Sequence, residues 1–226
     1  MKVRVSLKSH ISGFLISSSA LFSRQAKALE DENSPAATEM IHMQHRSYTI
    51  GAVMSAATFL EAAINELFQK AIDKDPYVFL PEFDARLREA MAASWDDVEE
   101  FSILGKYQIA LSLTGKQAFP KGESPYQEAD DLVRLRNALV HYKPEWDTDL
   151  QEHKKIEDRL RSRNIPENPL ISSGATYLPH RCLSHGLASW AVKSACAFYS
   201  QFVERMGLPK TLVTTTFSDP ANLATE

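Results

Sequence analysis

Apolar side chains recur along the middle of the chain at alternating four- and three-residue steps: Val53, Ala57, Leu60, Ile64, Leu67 and Ala71. That spacing draws one continuous stripe on a helix. It predicts a long helix from about 38 or 46 to 74, ended by Pro76 and Pro81. Ahead of it, Ile11, Phe14, Leu15, Leu21, Phe22 and Leu29, with Ser18 and Gln25 in register, predict an amphipathic helix over about 12–30 that packs on the core through those positions. Asn33, Ser34 and Pro35 form the joint between the two.

Ser94 followed by Asp97 reads as a helix start, and that helix runs to Gly115. The next begins near Pro125 and carries the stripe Leu132, Leu135 and Leu139. Pro144 biases Lys143 away from helical geometry, so the helix ends beside His141. Residues 147–163 are densely charged and predict an exposed helix, its lysines and arginines a solvated face among acids. Pro166, Pro169, Gly174 and Pro179 mark an irregular stretch. A last helix starts at Ser184, carries Leu187, Trp190, Ala191, Phe198 and Phe202, and stops at Gly207 and Pro209. At the ends, residues 1–7 alternate like a strand and 212–217 are β-prone, a pattern in which the termini pair.

The reading is an all-α helical bundle of about five helices. Residues 1–209 form a single domain, with a long irregular insertion over 147–180 before the last helix and a polar C-terminal tail over 210–226. A connection of that length in a bundle hints at function or at an interface.

Composition narrows the function. The 226 residues include 8 glycines, few enough for long helices rather than tight hairpins. The net charge is -4 and the pI about 6.0, so the chain as a whole is no polycation. RNA contact must come from a small basic patch or from a dimer that concentrates charge. The two cysteines, Cys182 and Cys196, form no ligand set. Cys196 lies in a helical pattern and reads as a buried thiol, and a reduced, cytoplasmic compartment follows. Lys2, Arg4 and Lys8 before the run Ile11 to Phe22, with Ala26-Lys27-Ala28 behind it, imitate a signal peptide. Serines dilute that run, and its spacing is that of a core helix. No stretch reads as long and apolar enough to cross a membrane.

The segment Leu132-Val133-Arg134-Leu135-Arg136-Asn137-Ala138-Leu139-Val140-His141-Tyr142 places Arg136, Asn137 and His141 just before a helix end. Five residues at about 100° each set Arg136 and His141 roughly 140° apart. They meet only if the helix distorts, the arginine curls round, or two subunits share the site. Plainer roles stand beside this: Arg136 pairing with Glu61, His141 closing a helix C-terminus, and Arg134 pairing with Asp130 at i,i+4. His180-x-Cys182-x-x-His185 holds metal-capable side chains but lacks a fourth ligand at suitable spacing. His42 and His45 have no carboxylate companion nearer than Glu39.

The R-N-x-x-x-H string of Arg136, Asn137 and His141 resembles the R-x4-6-H motif of the HEPN superfamily. Phe59-Leu60-Glu61-Ala62-Ala63-Ile64-Asn65-Glu66-Leu67-Phe68 resembles the earlier long helix of that family, which carries inward polar residues. The likeness covers roughly 160 residues. It implies a metal-independent endoribonuclease in which a 2′-hydroxyl attacks the adjacent phosphodiester and leaves a cyclic phosphate, with no cofactor and no metal. Arg136 then forks onto phosphate, His141 moves a proton, and Asn137 orients them, with Glu61 and Asn65 in support behind them. The resemblance also implies a homodimer with facing motifs and a toxin or defence setting with an antitoxin-like protein partner. The alternative is a non-catalytic HEPN-like module that binds RNA, nucleotide or a protein partner. An α-helical interaction module with no ligand site is a third reading.

Overall fold

The computed structural model describes residues 8–144, 146 and 153–209. The strand-like pattern of 1–7, the β-prone run 212–217 and the tail lie outside the described residues. Within them the chain forms helices and no strand: α1 (Ser12–Glu32), α2 (Glu39–Asp73), α3 (Ala85–Ala93), α4 (Trp95–Val98), α5 (Ile103–Leu113), α6 (Tyr126–Val140), α7 (Lys154–Arg161) and α8 (His185–Met206), with a short irregular turn at Tyr177–Arg181.

The predicted stripe of α2 is the spine of the core: Val53, Ala57, Leu60, Ile64, Leu67 and Ala71 are all buried. Lys74 closes α2 in the left-handed conformation at φ 57, ahead of Pro76. α2 is also, among the described residues, the one helix long and apolar enough to cross a membrane, contrary to the reading that no stretch is; half of its most apolar window is buried inside the fold.

α1 packs against α2 and α8, but not on the face its large apolar residues predict. Ile11, Phe14 and Leu21 are exposed, and Ile16, Ser19, Ala20, Ser23 and Ala26 are buried. Small side chains allow close approach: the Ser19 hydroxyl donates to the Ala52 carbonyl at 2.7 Å. The Glu66 carboxylate on α2 caps the start of α1, accepting from the Ile11 and Ser12 amides at 2.7 and 2.8 Å and from the Ser12 hydroxyl at 2.6 Å. It satisfies donors that a helix N-terminus leaves without partners.

The single helix expected over 94–115 is divided. Asp84 caps an additional helix, α3, by accepting from the Arg86 amide at 2.8 Å. Ser94 closes α3, its hydroxyl donating to the Met91 carbonyl at 3.0 Å, and gives α4 no side-chain cap. Ser102 starts α5, accepting from the Gly105 amide at 3.3 Å. Local hydroxyl bonding competes with helix continuation at both serines. α5 brings the fully buried Tyr107 between Phe198 and Phe202 of α8, in edge contacts at 4.9 and 4.7 Å. Its hydroxyl donates to the Leu60 carbonyl at 2.7 Å. Leu132, Leu135 and Phe198 join this core, while Leu139 and Trp190 are half-buried against it.

α8 begins at Ser184, which accepts from the Leu187 amide at 3.1 Å and donates to the Pro166 carbonyl at 2.6 Å. It ends at Gly207, whose φ of 69 a side chain would disfavour. Cys196 on α8 is half-buried, not the buried thiol its pattern predicts. Cys182 is the buried one, and burial pushes its thiol well up.

Candidate functional site

α6 lies between α2 on one flank and α7 on the other. Buried Ile156 and Leu160 turn one face of α7 inward. The charged face is not simply solvated as its composition predicts. Arg159 donates to Asp131 Oδ1 at 2.5 Å, and Arg163 donates to Asp131 Oδ2 at 2.6 and 3.1 Å. Asp131 is 1% exposed. These hydrogen bonds fix α7 beside α6 and raise the Arg159 guanidinium above its usual range, the Asp131 bond being the main cause.

Between the two helices lies a cleft of about 460 Å³. Asn137, Ala138 and His141 line it from α6, and His153, Lys155 and Ile156 from the start of α7, with Arg134, Lys143 and Arg159 around them. Among the described residues no carboxylate lines it. Arg134 and Arg159, at its edge, both bond Asp130, at 2.7 and 3.3 Å, and Lys143 and Lys155 add two lysines to its lining. His153 is 6% exposed. Its ring lies flat on Tyr142, centroids 4.6 Å apart and planes 6° apart, and its Nε2 bonds the Lys143 carbonyl at 3.0 Å. His141 closes α6, exposed, its amide donating to the Asn137 carbonyl at 2.9 Å.

Arg136 does not line this cleft. Its side chain points toward α2, Nη2 standing 3.9 Å from Glu61 Oε2. Nη1 reaches back to Asn137 Oδ1 at 3.0 Å. Its Nε is buried without a hydrogen-bond partner among the described residues. The helix stays regular through the motif, so the angular separation expected of Arg136 and His141 persists within one chain. Asn65 does not line the cleft either: it accepts from the Lys106 Nζ at 2.9 Å. Of the five residues singled out in the sequence, the fold brings Asn137 and His141 into the cleft, sets Arg136 and Glu61 together on the opposite flank, and gives Asn65 to α5. His153, Lys143 and Lys155 were missed, because they follow the predicted helix and fall in or beside the charged run.

No family model, curated protein or solved structure matches this chain. The HEPN likeness therefore rests on its two motif segments.

The other polar candidates are built into the fold. His45, 1% exposed, bonds Glu30 Oε1 at 2.8 Å, a partner fifteen residues before it on α1. Asn168 donates to the Leu183 carbonyl at 2.8 Å and lies 3.3 Å from His45 Nδ1. His185 Nδ1 donates to the Ser23 carbonyl at 3.0 Å, and its amide donates to Glu30 Oε1 at 2.6 Å. Among the described residues no group of three or more His, Cys, Asp or Glu converges as a set of metal ligands.

Proposed function

We propose that this chain is a HEPN-like endoribonuclease that cleaves RNA by attack of a 2′-hydroxyl on the adjacent phosphodiester, without a metal. The observation that carries the reading is the α6–α7 cleft. It collects His141, His153, Lys143 and Lys155 around Asn137, with no carboxylate among the described lining residues, in a chain of net charge -4. Local positive charge on an acidic protein is what selective contact with a phosphate requires. His141 moves a proton, Asn137 orients the phosphate, and Lys155 stabilises its charge.

Arg136 enters through a second copy. Its guanidinium has donors to spare on the flank facing away from His141, and a two-fold axis sets Arg136 of one protomer toward His141 of the other. Glu61 then positions Arg136. Cytoplasmic action in a toxin or defence system, opposed by an antitoxin-like partner, rests on the resemblance alone. The second reading, a non-catalytic module that binds RNA, nucleotide or a protein, is favoured by the same separation of Arg136 from His141 within one chain.

The test is cleavage of a labelled RNA by the purified protein, with and without EDTA, beside His141→Ala. The expected outcome is cyclic-phosphate product, no loss with chelator, and a fall of about a hundredfold or more for the variant. Cleavage that needs added divalent metal, or that ignores the substitution, moves the assignment to the binding module.

A further inference from the structure

The geometry points to His153 as a second proton-transferring residue of the α6–α7 cleft, the base to the acid of His141; this rests on the ribonuclease reading above. Two histidines on opposite walls of one cleft suit a reaction in which one proton leaves the attacking oxygen and another reaches the leaving oxygen. Each wall supplies one: His141 closes α6 and His153 precedes α7.

The surroundings of His153 assign the roles. Its Nε2 faces the Lys143 carbonyl at 3.0 Å, an atom that can only accept. The neutral ring therefore carries its proton on Nε2 and keeps its lone pair on Nδ1. The flat stack on Tyr142 at 4.6 Å fixes the plane of the ring. A carbonyl that sets the tautomer of a histidine is the orienting partner a general base needs. His141, exposed at the end of α6, is left the part of the acid. Lys155, which lines the same cleft, offers charge to the phosphate oxygens, and Asp130 and Asp131 are engaged by Arg134, Arg159 and Arg163.

The step balances. The 2′-hydroxyl gives its proton to His153 Nδ1 as the 2′-oxygen bonds to phosphorus. The bond from phosphorus to the 5′-oxygen breaks, and that oxygen takes a proton from the His141 imidazolium. The products are a 2′,3′-cyclic phosphate and a 5′-hydroxyl end. Water returns one proton to His141 and removes one from His153, with no oxidation or reduction.

His153→Gln separates the chemistry from the architecture. A glutamine amide can donate to the Lys143 carbonyl but cannot take up a proton. With the full chain and an RNA oligonucleotide, the variant should lower kcat by about a hundredfold or more. It should leave KM and the affinity for a 2′-deoxy analogue nearly unchanged, and should remove one limb of the pH–rate profile. In His153→Ala, added imidazole should restore part of the rate, a readout that still speaks if the glutamine variant folds poorly. Cleavage by His153→Gln at the wild-type rate, a loss confined to KM, or no imidazole rescue would overturn the role of His153 while leaving the ribonuclease reading intact. Absence of cleavage by the wild-type chain overturns both.

Discussion

Asp131 and Arg163 meet at two points: Asp131 Oδ2 accepts from Arg163 Nη2 at 2.6 Å and from Nε at 3.1 Å. The Asp131 side chain is 2% exposed and that of Arg163 18%, so solvent screens this pair little. Removing one partner of a buried ion pair strands the other charge, at a cost of about 3–5 kcal/mol. Asp131→Asn should therefore lower the melting temperature by about 6 °C or more, given about 2–4 °C per kcal/mol for chains of this size. It should also speed amide exchange in α7. A thermal melt superimposable on the wild type would show that this contact does not hold α7 in place.

Arg136 and His141 face opposite flanks of α6. If a dimer unites them, Arg136→Ala and His141→Ala are each impaired alone, yet subunits mixed by co-refolding regain activity, because one of the two sites in a mixed dimer is intact. Light scattering should give twice the chain mass. A monomer at micromolar concentration, or mixtures no more active than their parts, would place the chemistry within a single chain.

Lys155 lines the cleft from α7. Lys155→Ala should weaken RNA binding evenly across sequences and reduce the salt dependence of the affinity by about one phosphate contact. Binding titrations at two or three salt concentrations check this. An unchanged slope would remove Lys155 from the RNA path.

High pH should loosen the core. Burial, the largest cause in each case, raises the Tyr107, Tyr199 and Cys182 acids, and pushes Tyr177 up to about 12. Each is neutral in the fold, and the unfolded chain gives up its proton first. Their contribution to stability is whole below about pH 8, the foot of the ordinary cysteine titration, and declines as pH climbs past about 10 toward 12. Urea denaturation at stepped pH should show a midpoint that falls across that window, with tyrosinate absorbance rising as the chain unfolds. A flat midpoint to pH 11 would contradict the burial of these groups.

The long stripe of α2 and the end of α6 were legible because their signals are strong and local: periodic large side chains in one, Pro144 in the other. The face of α1 was not. Sequence patterns weight Phe14 and Leu21, whereas the packing selects Ser19, Ala20 and Ser23, whose small size permits the approach to Ala52. Glu30 and His45 form a pair through a turn between two helices, which no spacing rule reveals. The site was half legible. Asn137 and His141 carry a recognisable spacing, but His153 enters the cleft through the packing of α7 on α6, held by Asp131 and by the buried Ile156 and Leu160.

The bond between His153 Nε2 and the Lys143 carbonyl closes a ring of chain between the end of α6 and the start of α7. The spacing of the two walls is thereby pinned at this bond. Closing a longer ring costs only about 0.6 kcal/mol for each doubling of its length. Insertions or deletions between Lys143 and His153 should therefore leave the walls at their spacing. A change at His153 that removes the bond should let the two walls drift apart.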